Sequence, residues 1–234
     1  MVRTSGHAIV FEGRLRIPVD ACSFAGFRDW FRSGSFPERE RIDYLAGDIE
    51  IEVSAAELHT HSAVQMAIAS RLHTLFLERD LGEVFAGRTR VTSRVADFST
   101  EPDVVGVLWE SLEEGRVRYV AGAPPAGGGE PARCAEIDGP PDLVVEILSD
   151  GSARRDTEQL PRLYALAGVR ELWIADARGP EVAFAIHSLR AAAYASASPD
   201  PQGWLRSVPI GRGFRLTREP TRGGTWRYVL EDRA

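Results

Sequence analysis

Two acidic residues lie in apolar segments, where a carboxylate is costly unless something positive faces it. Asp103 follows Pro102 at the start of the run VVGVL, and Glu146 lies inside the run LVVEIL. Asp and Glu are almost never buried alone, because removing a carboxylate from water costs several kcal/mol. Two carboxylates on neighbouring strands, balanced by a divalent cation, form a common type of Mg²⁺ site. Such an ion activates water and neutralises charge on a phosphodiester, so the pair predicts phosphodiester chemistry.

Each acid taken singly also has a structural explanation. Glu146 could pair with Arg154 or Arg155, and Asp103 could cap a turn after Pro102. The two acids together, each in its own apolar strand, favour the metal site.

The charged residues narrow the class of protein. The net charge is −6, and the 28 residues counted as Lys and Arg are all Arg. An acidic chain of this kind argues against a protein that coats nucleic acid by bulk electrostatics, although a local basic groove remains compatible with it. The lack of lysine is most simply a coding bias. It nevertheless means that no side chain supplies a neutral amine, since Arg stays protonated.

The cysteines and the apolar runs predict a cytoplasmic protein outside any membrane. Cys22 and Cys134 lie far apart, with neither CxxC nor Cys/His spacing, so they indicate no zinc site or disulfide framework. The first residues lack the pattern of a secretion signal, and no apolar run approaches the roughly 20 residues that span a bilayer. A reducing compartment fits these features.

The elements around the two acids follow one another as helix, three strands, helix and strand. Ser54-x-x-Glu57 is a capping-box pattern that predicts the first helix, which Gly82 ends. The runs EVFAGRTRVTSRV, EPDVVGVLW and PDLVVEIL predict strands, and VRYVAGA is a further candidate. A helix from Asp156 to Gly168 and the strand ELWIAD follow. This order predicts an α/β fold in which helices cover a mixed sheet.

The segments on either side of this core predict additions to one domain. The run HAIVFEGRLRIPVD is strand-like, and RIDYLAGDIEIEVS predicts a hairpin that turns at Gly47-Asp48. An aromatic stripe at helical spacing predicts a helix packed on the core; its members are Phe24, Phe27, Trp30 and Phe31.

We predict an N-terminal extension over residues 1–40, a core over 41–190 and a C-terminal extension of the same domain, with edge strands, over 191–234. The run at 123–133, rich in Pro and Gly, predicts a mobile surface connection. Exposed C-terminal edge strands would need covering, which makes a homodimer a prediction to test.

Four separated motifs resemble those of a known family. The runs GDIEIEVSAAELHTH, GEVF, TEPDVV and PDLVVEILS, with AGVRELWIAD after them, are similar to the Uma2 (DUF820) family, a branch of the PD-(D/E)xK restriction-endonuclease-like superfamily. The resemblance covers most of residues 20–180. It implies a restriction-endonuclease-like core of one helix, three strands, one helix and one strand. It also implies a Mg²⁺- or Mn²⁺-dependent endonuclease that acts on nucleic acid, with DNA favoured.

The resemblance also implies roles for individual residues. The metal-binding acids of the family fall on Asp103 and Glu146, the acid of its GE turn on Asp48, and the histidine opening its first core helix on His61. His61 could instead be a surface or capping residue. Asp43 is an alternative to Asp48, and we interpret it as a solvent-facing residue on a short strand.

The chain departs from the family where many relatives carry a lysine. The pattern D-x-x-x-K-x-x-x-Y falls on Asp156, Leu160 and Tyr164, so leucine stands at the lysine position. Pro161 follows directly, and a proline inside a helix costs about 3 kcal/mol and kinks it unless it lies in the first turn.

Arg154 and Arg155 are the nearest cations that could replace that lysine. Arg binds phosphate through two parallel hydrogen bonds but cannot accept a proton. We therefore predict a metal held by Asp103 and Glu146, with Asp48 assisting through a water and Arg155 or Arg154 facing the phosphate. The alternative is a catalytically silent member of the fold that acts as a binding or regulatory module. Asp150 is a further partner that could occupy the arginines.

Overall fold

The computed structural model describes residues 8–11, 15–37, 40–52, 57–122 and 134–234. Ser54 of the predicted capping box and the predicted connection at 123–133 lie outside these residues. The helices are α1 (Phe24–Phe31), α2 (Ala63–Glu78), α3 (Trp109–Glu113) and α4 (Leu160–Ala167).

Seventeen strands are present in the described residues. They are β1 (Ala8–Phe11), β2 (Leu15–Pro18), β3 (Arg41–Leu45), β4 (Asp48–Glu52), β5 (Gly82–Ala86), β6 (Arg90–Ser93), β7 (Phe98–Thr100), β8 (Val104–Leu108), β9 (Arg118–Ala121), β10 (Cys134–Asp138), β11 (Leu143–Ile147), β12 (Glu171–Asp176), β13 (Ala183–Arg190), β14 (Ala193–Ser196), β15 (Leu205–Ser207), β16 (Arg212–Pro220) and β17 (Trp226–Arg233).

The central sheet has the order β14-β13-β12-β11-β8-β5; β11 pairs with β12 in parallel, and the other pairs among the described strands of this sheet are antiparallel. Helix α2 covers one face, where Val64, Ile68 and Leu72 pack against Val145 and Trp173. Helix α4 covers the other face. Because both faces are covered, the central strands are apolar throughout, as the continuous runs in the sequence predict.

One glycine allows α2 to approach the central sheet closely. A Cβ on Gly106 would lie 3.3 Å from the Phe76 ring and 3.3 Å from Leu143 Cβ. This is tighter than an ordinary contact between apolar carbons, so a larger residue would push the helix outward.

A second six-stranded sheet, with the order β4-β3-β7-β6-β10-β9, was not expected. The run EVFAGRTRVTSRV, predicted as one strand, divides between the two sheets as β5 and β6. Gly87 and Arg88 both have positive φ, 62° and 53°, and so turn the chain from one sheet to the other. The predicted single mixed sheet is therefore only part of the fold.

The N-terminal prediction of an aromatic helix packed on the core is confirmed. Phe27 is fully buried and packs in one cluster with Ile42 and Tyr44 of β3. The hairpin that follows turns one residue earlier than predicted, at Ala46-Gly47, where φ is 51° and 99°. Two successive residues with positive φ suit the tight hairpin that joins β3 to β4.

The segment before α4 starts its helical turns earlier than predicted. Residues from 153 onward are helical, and Arg155–Gln159 form a π-helical turn in which the Leu160 amide donates to the Arg155 carbonyl. Asp156 is therefore buried inside a helical segment, not its N-cap. The wider turn directly precedes Pro161, which has no amide hydrogen to donate. The helix ends at Gly168 with φ 92°, as predicted.

The C-terminal strands β15, β16 and β17 form a separate three-stranded sheet. Phe214 and Leu230 from this sheet join the same apolar cluster as α2. The tail thus covers the outer side of α2 and is more than a set of edge strands. Among the described helices none is long and apolar enough to cross a membrane.

Candidate active site

The two acids predicted as a pair lie opposite each other on the central sheet. Strand β8 runs antiparallel to β11 with Val104 opposite Val145, so the next step of the register places Asp103 opposite Glu146. Directly opposed residues project from the same face of a sheet. Asp103 Oδ2 accepts a hydrogen bond from the Ile147 amide at 2.7 Å, which fixes this carboxylate against β11.

The Glu146 carboxylate is fully buried and only half satisfied. Its Oε1 accepts a hydrogen bond from the Tyr164 hydroxyl at 2.6 Å. Its Oε2 is buried and has no hydrogen-bond partner among the described residues. Burial, followed by the negative charges of Asp156 and Asp103, raises the pKa of Glu146 well above its ordinary value. The positive groups near Glu146 therefore do not offset the negative charge of the surrounding carboxylates.

His61 lies beside Asp103, at the turn that opens α2. Its Nε2 is 3.3 Å from Asp103 Oδ1, and this hydrogen bond raises the pKa of His61 against the opposing effect of burial. Glu57 fixes the turn because its side chain accepts the His59 amide hydrogen at 2.8 Å. His59 itself is exposed. The two histidines therefore point to different environments, and His61 is not a surface residue.

Of the two adjacent arginines, one faces the acids. The Arg155 side chain is 9% exposed, and its Nε donates to Asp156 Oδ1 at 2.9 Å. The Arg154 side chain is 92% exposed and lies 3.6 Å from Glu158. The Arg155 guanidinium is the one positioned beside the site.

The interpretation of Asp43 as solvent-facing is wrong. Asp43 is 1% exposed, its Oδ1 accepts the Glu101 amide hydrogen at 3.1 Å, and its Oδ2 lies 3.7 Å from Arg155 Nη1. Strand β3 is covered on both faces, so the alternation of side chains does not bring Asp43 to water. Asp48, by contrast, is exposed at the start of β4.

Arg41 was not singled out by the sequence. It starts β3, with its Nε 3.4 Å from Asp43 Oδ2 and its Nη1 3.5 Å from Glu52 Oε2. Burial disfavours its charge, but the carboxylates of Asp43, Glu146 and Asp103 together raise the pKa of Arg41 well above its ordinary value. The available signal was the spacing of Arg41 and Asp43, which share one side of a strand.

The residue at the lysine position of the family, Leu160, packs into an apolar cluster and does not face the acids of the site. Leu160 is fully buried in an apolar cluster with Phe98 and Val144. Tyr164, one turn later, belongs to the same cluster and reaches Glu146 through its hydroxyl. Within the residues that the structure describes, no three His, Cys, Asp or Glu side chains form a group able to hold a metal ion.

The family model of Uma2, described as "Putative restriction endonuclease", matches residues 25–219. The chain belongs to the Uma2 family. A solved structure from Anabaena variabilis ATCC 29413, described as a "putative nuclease belonging to DUF820", aligns with a TM-score of 0.57 at 17% identity, covering 81% of this chain and 90% of that chain. This likeness confirms the predicted restriction-endonuclease-like fold. No curated protein matches the chain.

Proposed function

We propose that this Uma2 chain is a divalent-metal-dependent endonuclease that hydrolyses phosphodiester bonds of nucleic acid. Mg²⁺ or Mn²⁺ is the cofactor, DNA is the favoured substrate, and Arg replaces the usual lysine. The observation that carries the proposal is the opposed pair of Asp103 and Glu146, with Glu146 Oε2 left without a hydrogen bond. The descriptions of the family and of the similar Anabaena structure support nuclease activity.

The residues at the pair fit a magnesium-type ion. Mg²⁺ is commonly held by one or two protein carboxylates, with waters and substrate phosphate completing its coordination, so a third protein ligand is not required. Burial raises the pKa of Glu146 most, and repulsion from Asp156 and Asp103 raises it further. A bound cation would offset this repulsion. Asp103 and Glu146 would hold the ion, which would supply positive charge and an activated water.

The protein's own groups would position this chemistry. Tyr164 fixes one oxygen of Glu146, and the Ile147 amide fixes one oxygen of Asp103. Arg155 would stabilise negative charge on the phosphate, usually the larger catalytic effect, but it cannot remove a proton. Proton transfer would therefore fall to a carboxylate or to His61, whose imidazole can donate or accept a proton.

Cleavage of supercoiled plasmid and of single-stranded DNA with Mg²⁺ or Mn²⁺ tests the proposal. Asp103→Asn keeps an acceptor for the Ile147 amide but removes the charge, so we expect cleavage to fall by about 100-fold or more, as when a key electrostatic group is lost. Glu146→Gln should do the same. Arg154→Gln is the matched control, because Arg154 is exposed. Cleavage by Asp103→Asn at the wild-type rate would overturn the assigned site.

A catalytically silent binding module is the second candidate, favoured by the buried Leu160 at the lysine position. For that candidate, the wild type would show no cleavage with either metal. Calorimetry would still detect Mg²⁺ binding that Glu146→Gln abolishes.

A further inference from the structure

Two arginines from different parts of the fold meet at the same pair of carboxylates. Arg41 comes from β3, and Arg155 comes from the π-helical turn before α4. Arg41 lies 3.4 Å from Asp43 and 3.5 Å from Glu52. Arg155 lies 3.7 Å from Asp43 and 3.8 Å from Glu52. The two acids therefore hold two guanidinium groups side by side.

These four contacts are too long to satisfy the hydrogen-bond donors of the two guanidinium groups. A charge-assisted N–H···O hydrogen bond measures about 2.7–2.9 Å, shorter than any of the four distances. Arg41 Nε, Arg41 Nη2 and Arg155 Nη2 are buried, and none has a hydrogen-bond partner among the described residues. Buried donors of this kind are rare and call for an acceptor.

Asp43 and Glu52 balance the charges of the two guanidinium groups, but the buried donors without partners still require an acceptor, which an anion would supply. A phosphate group offers several oxygens to guanidinium forks, and Arg pairs with phosphate through two parallel hydrogen bonds. The carboxylates of Glu146 and Asp103 also contribute to the raised pKa of Arg41, so the arginine and the proposed metal pair interact electrostatically.

We propose that Arg41 and Arg155 form a two-arginine clamp that binds one phosphate group of the nucleic-acid substrate, with Asp43 and Glu52 as its positioning residues. The clamp deepens the proposed function and rests on it. Arg41 becomes a further substrate-binding residue and supplies, from the other sheet, positive charge that Leu160 cannot.

Binding measured without cleavage tests the clamp. A fluorescein-labelled DNA duplex is titrated by fluorescence anisotropy at fixed ionic strength with Ca²⁺, which takes the same oxygen ligands as Mg²⁺. We expect Arg41→Gln and Arg155→Gln each to weaken binding on the order of tenfold, as for loss of hydrogen bonds to a charged group. The double variant should bind more tightly than the product of the two losses implies, because both arginines hold one phosphate. Arg154→Gln should bind like the wild type.

The conservative variant guards against a folding artefact. Arg41→Lys retains the charge opposite Asp43 and Glu52 but loses the planar fork, so it should fold and still bind several-fold more weakly. Circular dichroism and thermal unfolding establish that each variant is folded. Wild-type affinity in Arg41→Lys and Arg41→Gln would overturn the clamp. Failure of the nuclease proposal is separate, because it appears as absent cleavage with Mg²⁺ and Mn²⁺ whatever the variants do to binding.

Discussion

Among single residues, Tyr164 has the most direct effect on the buried acid. It is fully buried, packs edge-on against Phe98 with ring centroids 5.5 Å apart, and donates its hydroxyl to Glu146. Because Glu146 Oε2 has no partner among the described residues, this hydroxyl satisfies the one oxygen that is bonded. Tyr164 therefore links the apolar cluster under α4 to the charge of the site.

Removing that hydroxyl should destabilise the metal-free protein. Tyr164→Phe leaves the Glu146 carboxylate without its hydrogen-bond donor, so we expect the free energy of unfolding to fall by about 1–3 kcal/mol, measured by urea denaturation. Tyr228→Phe is the matched control: Tyr228 is 6% exposed, and its hydroxyl has no hydrogen-bond partner among the described residues. Equal losses in the two variants would contradict this account.

At the site, the sequence indicates Asp103 and Glu146 from the residues themselves, and His61 and Arg155 only through the family resemblance. Asp103 and Glu146 stand out because each breaks a run of Val and Leu, and the structure places them opposite each other.

Arg41 and Asp43 interrupt no apolar run, and their only local signal is that they share one side of a strand. The burial of Asp43 comes from the packing of β3 against α1 through Ile42 and Tyr44, and against the central sheet, which is distant in the chain, through Leu45.

Among the elements, the helical segment ending in α4 differs most from expectation. Its π-helical turn buries Asp156 and brings Arg155 toward Asp43, while the next residue of the pattern, Leu160, points into the apolar cluster. Side-chain periodicity predicts regular α-helical spacing, so a single wider turn changes which residues face the site. For this reason, the sequence pattern could not predict where this segment begins or which way the Arg155 side chain points.

Restoring the lysine of the family at this position should not restore a catalytic cation. Leu160→Lys places an ammonium in the apolar cluster, so we expect a loss of about 3 kcal/mol or more in unfolding free energy. Leu166→Lys on the same helix is the control, because Leu166 is 61% exposed and should change stability little. Thermal unfolding and plasmid cleavage follow both variants. Stability of Leu160→Lys equal to that of the control would show that the new side chain reaches the acids.

For the whole molecule, Glu171 joins the C-terminal sheet to the core. It is fully buried at the start of β12, and its oxygens accept hydrogen bonds from Trp173 Nε1, Ser188 Oγ, Ser207 Oγ and the Val208 amide. Ser207 and Val208 belong to the C-terminal region, so this one carboxylate connects it to the central sheet. Burial raises the pKa of Glu171, and the hydrogen bonds from Ser207 and Trp173 oppose that effect.

The raised pKa sets the sign of a pH effect. The folded state holds the Glu171 proton more tightly than the unfolded state, so the contribution of Glu171 to stability falls as pH rises from about 4.5 through its folded pKa. Glu171→Gln removes this titration and one oxygen acceptor, and should cost about 1–3 kcal/mol at acidic pH. The difference between the two proteins should then narrow as pH rises.

Urea denaturation from acidic to neutral pH measures that difference. Glu219→Gln is the control, because the Glu219 side chain is 62% exposed on β16, and it should follow the wild type at each pH. A difference between wild type and Glu171→Gln that widens with pH would contradict the raised pKa of Glu171.

The predicted division at residues 40 and 190 stays a prediction, which limited proteolysis can check. The predicted homodimer also stays a prediction, which light scattering can check.

The hydrogen bond from the Ile147 amide makes the Asp103 carboxylate part of the strand pairing, in addition to its place in the proposed metal site. Here a side-chain oxygen takes the place of the backbone carbonyl that would normally extend the pairing of β8 with β11. The cation proposed at Asp103 would draw electron density from this carboxylate and so weaken its hydrogen bond to the Ile147 amide. Binding of that cation would then loosen one end of the pair formed by β8 and β11.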